Sequence, residues 1–252
     1  MVGHGHGEKI EAGTTFARET LNGRGCEYNY NDEYFHDFLQ FAAQCGGTVA
    51  DLGCAYGAST KRLLDAGATK VIANDICKEH LDIFYDSLNE MEKKRVQCIP
   101  GDALELEKYI PAGSLAGIIA ASWLNFLTPE QIKAVFGVFY NLLQPGGKLC
   151  ILAASCYSDL MESQHAQDVV AKRKAAGDQW PGLWNKAELY KGPFAHHLPD
   201  FMHCLDPDVL SREATARGFK VDKAGHFDFG SVFQALKVDG REWTGIIATK
   251  PK

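Results

Sequence analysis

The stretch Thr48-Val49-Ala50-Asp51-Leu52-Gly53-Cys54-Ala55-Tyr56-Gly57-Ala58-Ser59-Thr60 constrains this chain more than any other. A short apolar strand ends in an acid, a glycine-punctuated turn follows, and Ser59 and Thr60 open a helix. Such a turn leads a parallel strand straight into the helix that covers it. It also brings backbone amides, free of Cβ atoms at Gly53 and Gly57, close to anything bound above the strand. The dinucleotide fingerprint Gly-x-Gly-x-x-Gly would need glycine at 53, 55 and 58, and two of those positions are alanine. A nicotinamide or flavin dinucleotide is therefore a poor fit.

The rest of the chain alternates strand with helix, the pattern of a parallel sheet covered on both faces. Asn31 to Cys45 reads as a helix with Phe35, Phe38, Leu39 and Ala42 on one side, stopped by Gly46-Gly47. Strand candidates follow at Thr48–Leu52, Lys70–Asn74, Val96–Ile99, Ala116–Ala121 and Lys148–Ala154. Between them lie helices from Ser59 to Ala66, from Lys78, and after Thr128-Pro129-Glu130-Gln131, a capping box with proline in the first turn. A helix over Asp206–Arg217 and strands at Lys220–Phe229 and Trp243–Thr249 complete the series.

Asp51, Gly53 and Gly57 resemble motif I of the class I S-adenosylmethionine-dependent methyltransferases, Asp/Glu-x-Gly-x-Gly-x-Gly, with Ala55 replacing the middle glycine. The resemblance continues in order along the chain. Asp75 closes the second strand where the family has its ribose-binding acid, and Ile76 follows where an apolar side chain lies against adenine. Gly101-Asp102-Ala103 is similar to the adenine-edge motif, and Ser122-Trp123 leaves the fourth strand where the family closes over the cofactor. The resemblance implies an α/β, Rossmann-like, seven-stranded and mostly parallel sheet, with helices on both faces and the last strand antiparallel. It implies S-adenosyl-L-methionine as cofactor and S-adenosyl-L-homocysteine as product. Asp51, Gly53, Cys54, Ala55, Gly57, Asp75, Ile76, Asp102, Ala103, Ser122 and Trp123 are the expected cofactor residues.

The expected organisation is one domain over 1–252. Residues 1–47 form an N-terminal cap segment, 48–155 the cofactor core, 157–205 a lid insertion and 206–252 the closing helix and strands. The insertion carries Trp180, Trp184, Tyr190, Phe194, His196, His197 and His203. Aromatic density of that kind suits a pocket for a small methyl acceptor, methylated on oxygen or nitrogen. In-line displacement asks the protein chiefly to position and desolvate, with a base only where the acceptor carries a proton. His203, His197 and Asn125 are the candidates around the reacting atoms. No metal is expected. Ser122-Trp123-Leu124-Asn125-Phe126 lacks the Asn/Asp-Pro-Pro-Tyr/Phe clamp of the base-modifying amino methyltransferases. A net charge of −6 offers no general attraction for phosphate backbones.

A macromolecular acceptor and a non-catalytic S-adenosylmethionine-binding role remain as alternatives, and nothing bears on oligomeric state. No apolar run approaches the roughly 18 residues of a membrane span, so no membrane partner is expected. Eight cysteines without a CxxC pair, and an N-terminus without a signal-peptide core, lead to a cytoplasmic expectation.

Overall fold

The computed structural model describes residues 17–157, 163–185, 201–228 and 239–252. The chain opens with a hairpin of two short strands, β1 (Ala17–Glu19) and β2 (Cys26–Tyr28), antiparallel with Arg18 opposite Glu27. Helix α1 (Glu33–Gln44) starts where the Asp32 carboxylate accepts from the amides of Tyr34 and Phe35, both at 2.9 Å. Strand β3 (Thr48–Leu52) and helix α2 (Ala58–Asp65) are joined by the glycine turn. Strand β4 (Lys70–Asp75), helices α3 (Lys78–Ser87) and α4 (Glu90–Lys93), and strand β5 (Val96–Pro100) follow. Strand β6 (Leu115–Ala121) leads through a 3₁₀ turn at Leu124–Phe126 to helix α5 (Pro129–Leu142), whose Thr128–Gln131 capping box forms as expected. Strand β7 runs over Leu143–Ala154.

Beyond it come helix α6 (Ser163–Ala175), the small pair β8 (Leu183–Asn185) and β9 (Phe201–His203), and helix α7 (Pro207–Arg217). Strands β10 (Lys220–Phe227) and β11 (Trp243–Thr249) close the fold. The main sheet has the order β10-β11-β7-β6-β3-β4-β5. Strands β3 to β7 pair in parallel, and β11 is antiparallel to both its neighbours. The expected seven-stranded sheet with an antiparallel last strand is therefore present.

Alternation along the strands sorts side chains into two cores, as the period of two requires. One core holds Val49 of β3, Val71 of β4 and the rings of Phe35, Phe38 and Phe84 from α1 and α3. The other holds Ala50 and Leu52 with Phe136 and Phe139 of α5 and Leu210 of α7. Helices thus cover both faces, and the carboxyl ends of β3, β4, β5 and β6 come to one edge. Open parallel sheets bind ligands at that edge. No helix among the described residues is long and apolar enough to cross a membrane.

Two features differ from the sequence reading. The N-terminal hairpin was not anticipated, although Asn22-Gly23 is a hairpin dipeptide; three-residue strands carry too little periodicity to register. Strand β7 begins at Leu143, five residues before the expected start, because the Pro145-Gly146-Gly147 turn is absorbed into the strand.

Candidate functional site

The glycine turn is held open by its own strand neighbours. Gly53 and Cys54 donate their amides to the Asn74 carbonyl, at 2.8 and 2.9 Å, and Asn74 Nδ2 donates in turn to the carbonyls of Ile99 and Gly101. The ends of β3, β4 and β5 are thereby pinned together. The turn passes through the left-handed region at Gly53 (φ 72°), Ala55 (φ 46°) and Gly57 (φ 81°). Ala55 carries a Cβ in a conformation that costs on the order of 1 kcal/mol. Its amide donates to Asp75 Oδ2 at 2.8 Å, which anchors that conformation. The missing Cβ atoms also serve the protein's own packing. A Cβ on Gly53 would lie 2.4 Å from the Trp123 ring, and one on Gly57 would lie 2.2 Å from the Phe84 ring. Both make room for the protein's own aromatic side chains.

Asp75 is the hub of the site. Oδ1 accepts from the Cys77 amide at 2.8 Å and faces His80 Nδ1 at 3.1 Å. The Leu21 amide donates to His80 Nε2 at 2.9 Å, so Nε2 is the acceptor nitrogen and Nδ1 carries the proton toward Asp75. A buried relay therefore runs from the N-terminal hairpin through His80 and Asp75 to the glycine turn. Asp51, buried at the end of β3, accepts from Thr60 Oγ1 at 2.7 Å. Burial, with the Asp75 charge adding to it, raises the Asp51 carboxyl to about 7. Glu27 of the hairpin reaches the start of α2, where Oε1 accepts from the Ala58 amide at 2.8 Å. Burial, and less strongly Asp51, raises Glu27 to about 7 as well.

Asp51, Gly53, Cys54, Ala55, Asp75, Ile76, Asp102, Ala103, Ser122 and Trp123 line a single cleft of about 1100 Å³, open solvent included. Gly57 does not line it. Ile76 presents an exposed apolar side chain there, while Asp102 uses Oδ1 to cap the following 3₁₀ turn at Leu104 N. Ser122, at φ 63°, shares a short hydrogen bond with the hydroxyl of Tyr30. The Trp123 indole is packed edge-on to Phe139, and its Nε1–H is buried without a partner among the described residues. Thr20, Arg24, Glu27, Tyr28, Tyr30 and His80 complete much of the remaining wall. No residue anticipated from sequence comes from that hairpin.

Of the expected catalytic residues, His203 and Asn125 do not line this cleft. His203 is fully buried in β9, edge-on to Trp180, and burial pulls its imidazole down to about 4. It does not line the cleft. Asn125 is also buried and clamps chain to chain: Nδ2 donates to the carbonyls of Ala154 and His203, and Oδ1 accepts from Ala154 N. It ties β9 to the end of β7 and does not line the cleft. His197, like His196, Tyr190 and Phe194, lies outside the described residues. Among the described residues of 157–205, none lines the cleft; Trp180 and Trp184 pack with Arg212 and Arg173 instead. Cys156 is a buried thiol raised to about 11, which keeps it protonated and a poor nucleophile.

A glycine turn between the first strand and helix, acids at the ends of consecutive strands and this strand order are the arrangement expected of a class I methyltransferase core. Residues 49–147 match the family described as "Methyltransferase domain". The carboxy-S-adenosyl-L-methionine synthase of Pseudomonas syringae pv. tomato is 33% identical over 135 residues, covering 49% of this chain and 51% of that protein. The enzyme of the same name from Pseudomonas fluorescens is 33% identical over 147 residues, covering 54% and 57%. The chain thus spans about half the length of the curated relatives it matches. A solved S-adenosylmethionine-dependent methyltransferase of Methanosarcina mazei shares the fold, with TM-score 0.65 at 16% identity, covering 88% of this chain and 99% of that one.

The residues present suit such a donor. Two buried carboxylates, Asp51 and Asp75, face a molecule whose sulfonium and ammonium are both cationic. Trp123, whose buried Nε1–H has no partner among the described residues, would leave a donor available to it. Ile76 gives a flat apolar surface for a purine.

Proposed function

We propose that this chain is an S-adenosylmethionine-dependent methyltransferase acting on oxygen or nitrogen of a small molecule. One observation carries the reading: Asp51, Asp75 and Asp102, from the ends of three adjacent strands, share one cleft with the glycine turn. When bound there, the sulfonium supplies an electrophilic methyl group. The chain's own part is to orient it and exclude water. The hairpin favours a small acceptor, since Thr20, Arg24 and Tyr28 add a wall to the cleft that the glycine turn and Trp123 also line. Eight free cysteines support a reducing, cytoplasmic setting.

Incubation with methyl-labelled S-adenosylmethionine and a metabolite extract should give S-adenosylhomocysteine and one labelled small product. Label found only in protein or nucleic acid would refute the small-molecule reading. Cofactor binding without turnover would leave a non-catalytic binder. The name of the curated relatives supports a second reading, in which the donor itself is converted to its carboxy form. Mass spectrometry of the nucleoside fraction separates the two.

The pH dependence of donor affinity follows from Asp51 and Glu27. Asp51 is surrounded by Thr60, Asp75 and Glu27; Glu27 by the amides of Tyr56 and Ala58, by Asp51 and by Arg18. Both carboxyls are raised, so they are mainly protonated at pH 6 and mainly ionised at pH 8. An ammonium bound beside them stabilises the ionised forms. Affinity for S-adenosylhomocysteine should therefore rise by about tenfold from pH 6 to pH 8, one pKa unit of coupling being worth about 1.4 kcal/mol. Calorimetry in buffers of different ionisation enthalpy should show protons released on binding. A flat affinity across this range would remove both groups from the ammonium's surroundings.

A further inference from the structure

In a strand–turn–helix of this kind the first amides of the helix are free to hold the carboxylate of a bound ligand. Here that place is taken. Glu27, carried across by the hairpin, already fills the Ala58 amide at the start of α2, and its charge lies beside Asp51. The amino-acid tail of the donor therefore meets two acids at the glycine turn, which disfavours its own carboxylate there. Among the described residues that line the cleft, Arg24 is the one arginine or lysine. It sits in the tight Thr20–Gly25 turn, with its amide donating to Thr20 Oγ1 and Asn22 Oδ1, both at 3.1 Å.

The hairpin is fastened to the donor-binding loops at three points. Leu21 N donates to His80, the Tyr56 hydroxyl donates to the Glu19 carbonyl at 3.0 Å, and Glu27 holds Ala58. Arg18 also stacks on the Tyr56 ring, 3.5 Å from its centroid. A wall fixed in this way can read a ligand's charge pattern, because its side chains need little reordering on binding.

We propose that the N-terminal hairpin reads the zwitterionic tail of the donor, with Arg24 holding the carboxylate while Glu27 and Asp51 face the ammonium. This deepens the methyltransferase reading and rests on it. Arginine suits the task because its planar fork matches a carboxylate with two parallel hydrogen bonds.

The test compares S-adenosylhomocysteine with its decarboxylated analogue, the 3-aminopropylthio adenosine, by calorimetry on the intact chain. The wild-type protein should bind S-adenosylhomocysteine at least tenfold more tightly. Arg24→Met should weaken S-adenosylhomocysteine by about that factor, leave the analogue within twofold, and so abolish the preference. Glu27→Gln keeps an oxygen for the Ala58 amide and should weaken both ligands alike, since both carry the amine. Arg24 is exposed, so its variant should melt within a few degrees of wild type. A wild-type protein indifferent to the carboxylate, or an Arg24→Met variant that retains the preference, would overturn the assignment while leaving the donor site intact. Failure of both ligands to bind wild-type protein would overturn the methyltransferase reading with it.

Discussion

Asp75→Ala should reduce affinity for S-adenosylhomocysteine by at least a hundredfold, about 2.7 kcal/mol. The alanine removes acceptors from three donors at once: the amides of Ala55 and Cys77 and Nδ1–H of His80. Each buried donor left unpaired costs roughly 1–3 kcal/mol. The Ala55 amide matters most, since the left-handed turn beneath the ligand loses its anchor. Stability should fall as well, by about 3–5 kcal/mol in urea denaturation, so binding is to be measured on protein confirmed to be folded. Asp75→Asn separates the two effects. It can still accept from Cys77 and His80, but its amide group then faces the Ala55 N–H donor to donor. An Asn variant with near wild-type stability and wild-type affinity would show that the turn does not depend on this carboxylate.

Gly57→Ala should destabilise the fold by about 2–4 kcal/mol. Two costs add. The residue sits at φ 81°, where a side chain costs roughly 1 kcal/mol or more. The new Cβ would also meet the Phe84 ring at 2.2 Å, and that ring is buried between α2 and α3. Overpacking of a filled core costs roughly 1–3 kcal/mol. Phe84→Leu should recover part of the loss in the double variant, because it clears the space the methyl group needs; it does nothing for φ. Guanidinium titrations of the four proteins measure the coupling. Full additivity would mean that the ring moves aside freely and that only the backbone conformation matters.

Much of this architecture could be read along the chain, for identifiable physical reasons. Four of the five parallel strands are largely apolar on both faces, so each appears as a short apolar run between turn residues; the edge strand β5 exposes Gln97. The helices after β3, β4 and β6 carry their stripes at helical spacing, and Thr128 with Gln131 marks one start unambiguously. The acids at 51, 75 and 102 were visible because they end strands. The hairpin was not, since Glu27 looks like any charged residue until the fold carries it to the start of α2. His203 and Asn125 misled for the opposite reason. Histidine and asparagine in a segment rich in aromatics suggest chemistry, yet burial makes one a packed ring and the other a brace for backbone carbonyls. Residue type names the possible roles, and only placement relative to the sheet edge chooses among them. For the same reason both glycines read as ligand-facing; Gly53 lines the cleft and Gly57 does not, and their missing Cβ atoms also accommodate Trp123 and Phe84.

The part of the chain that matches the methyltransferase family and the part that lines the cleft do not coincide. The match begins at residue 49, but Glu27 and Tyr30 lie ahead of it, and the proton on His80 is oriented by the amide of Leu21. A protein lacking only the hairpin would keep the glycine turn and the strand-end acids while exposing the first amide of α2 and leaving His80 without its hairpin donor. Such a protein would lose one wall of its cleft. Boundaries drawn from the family match thus enclose the glycine turn and the strand-end acids and omit the hairpin that lines the cleft beside them.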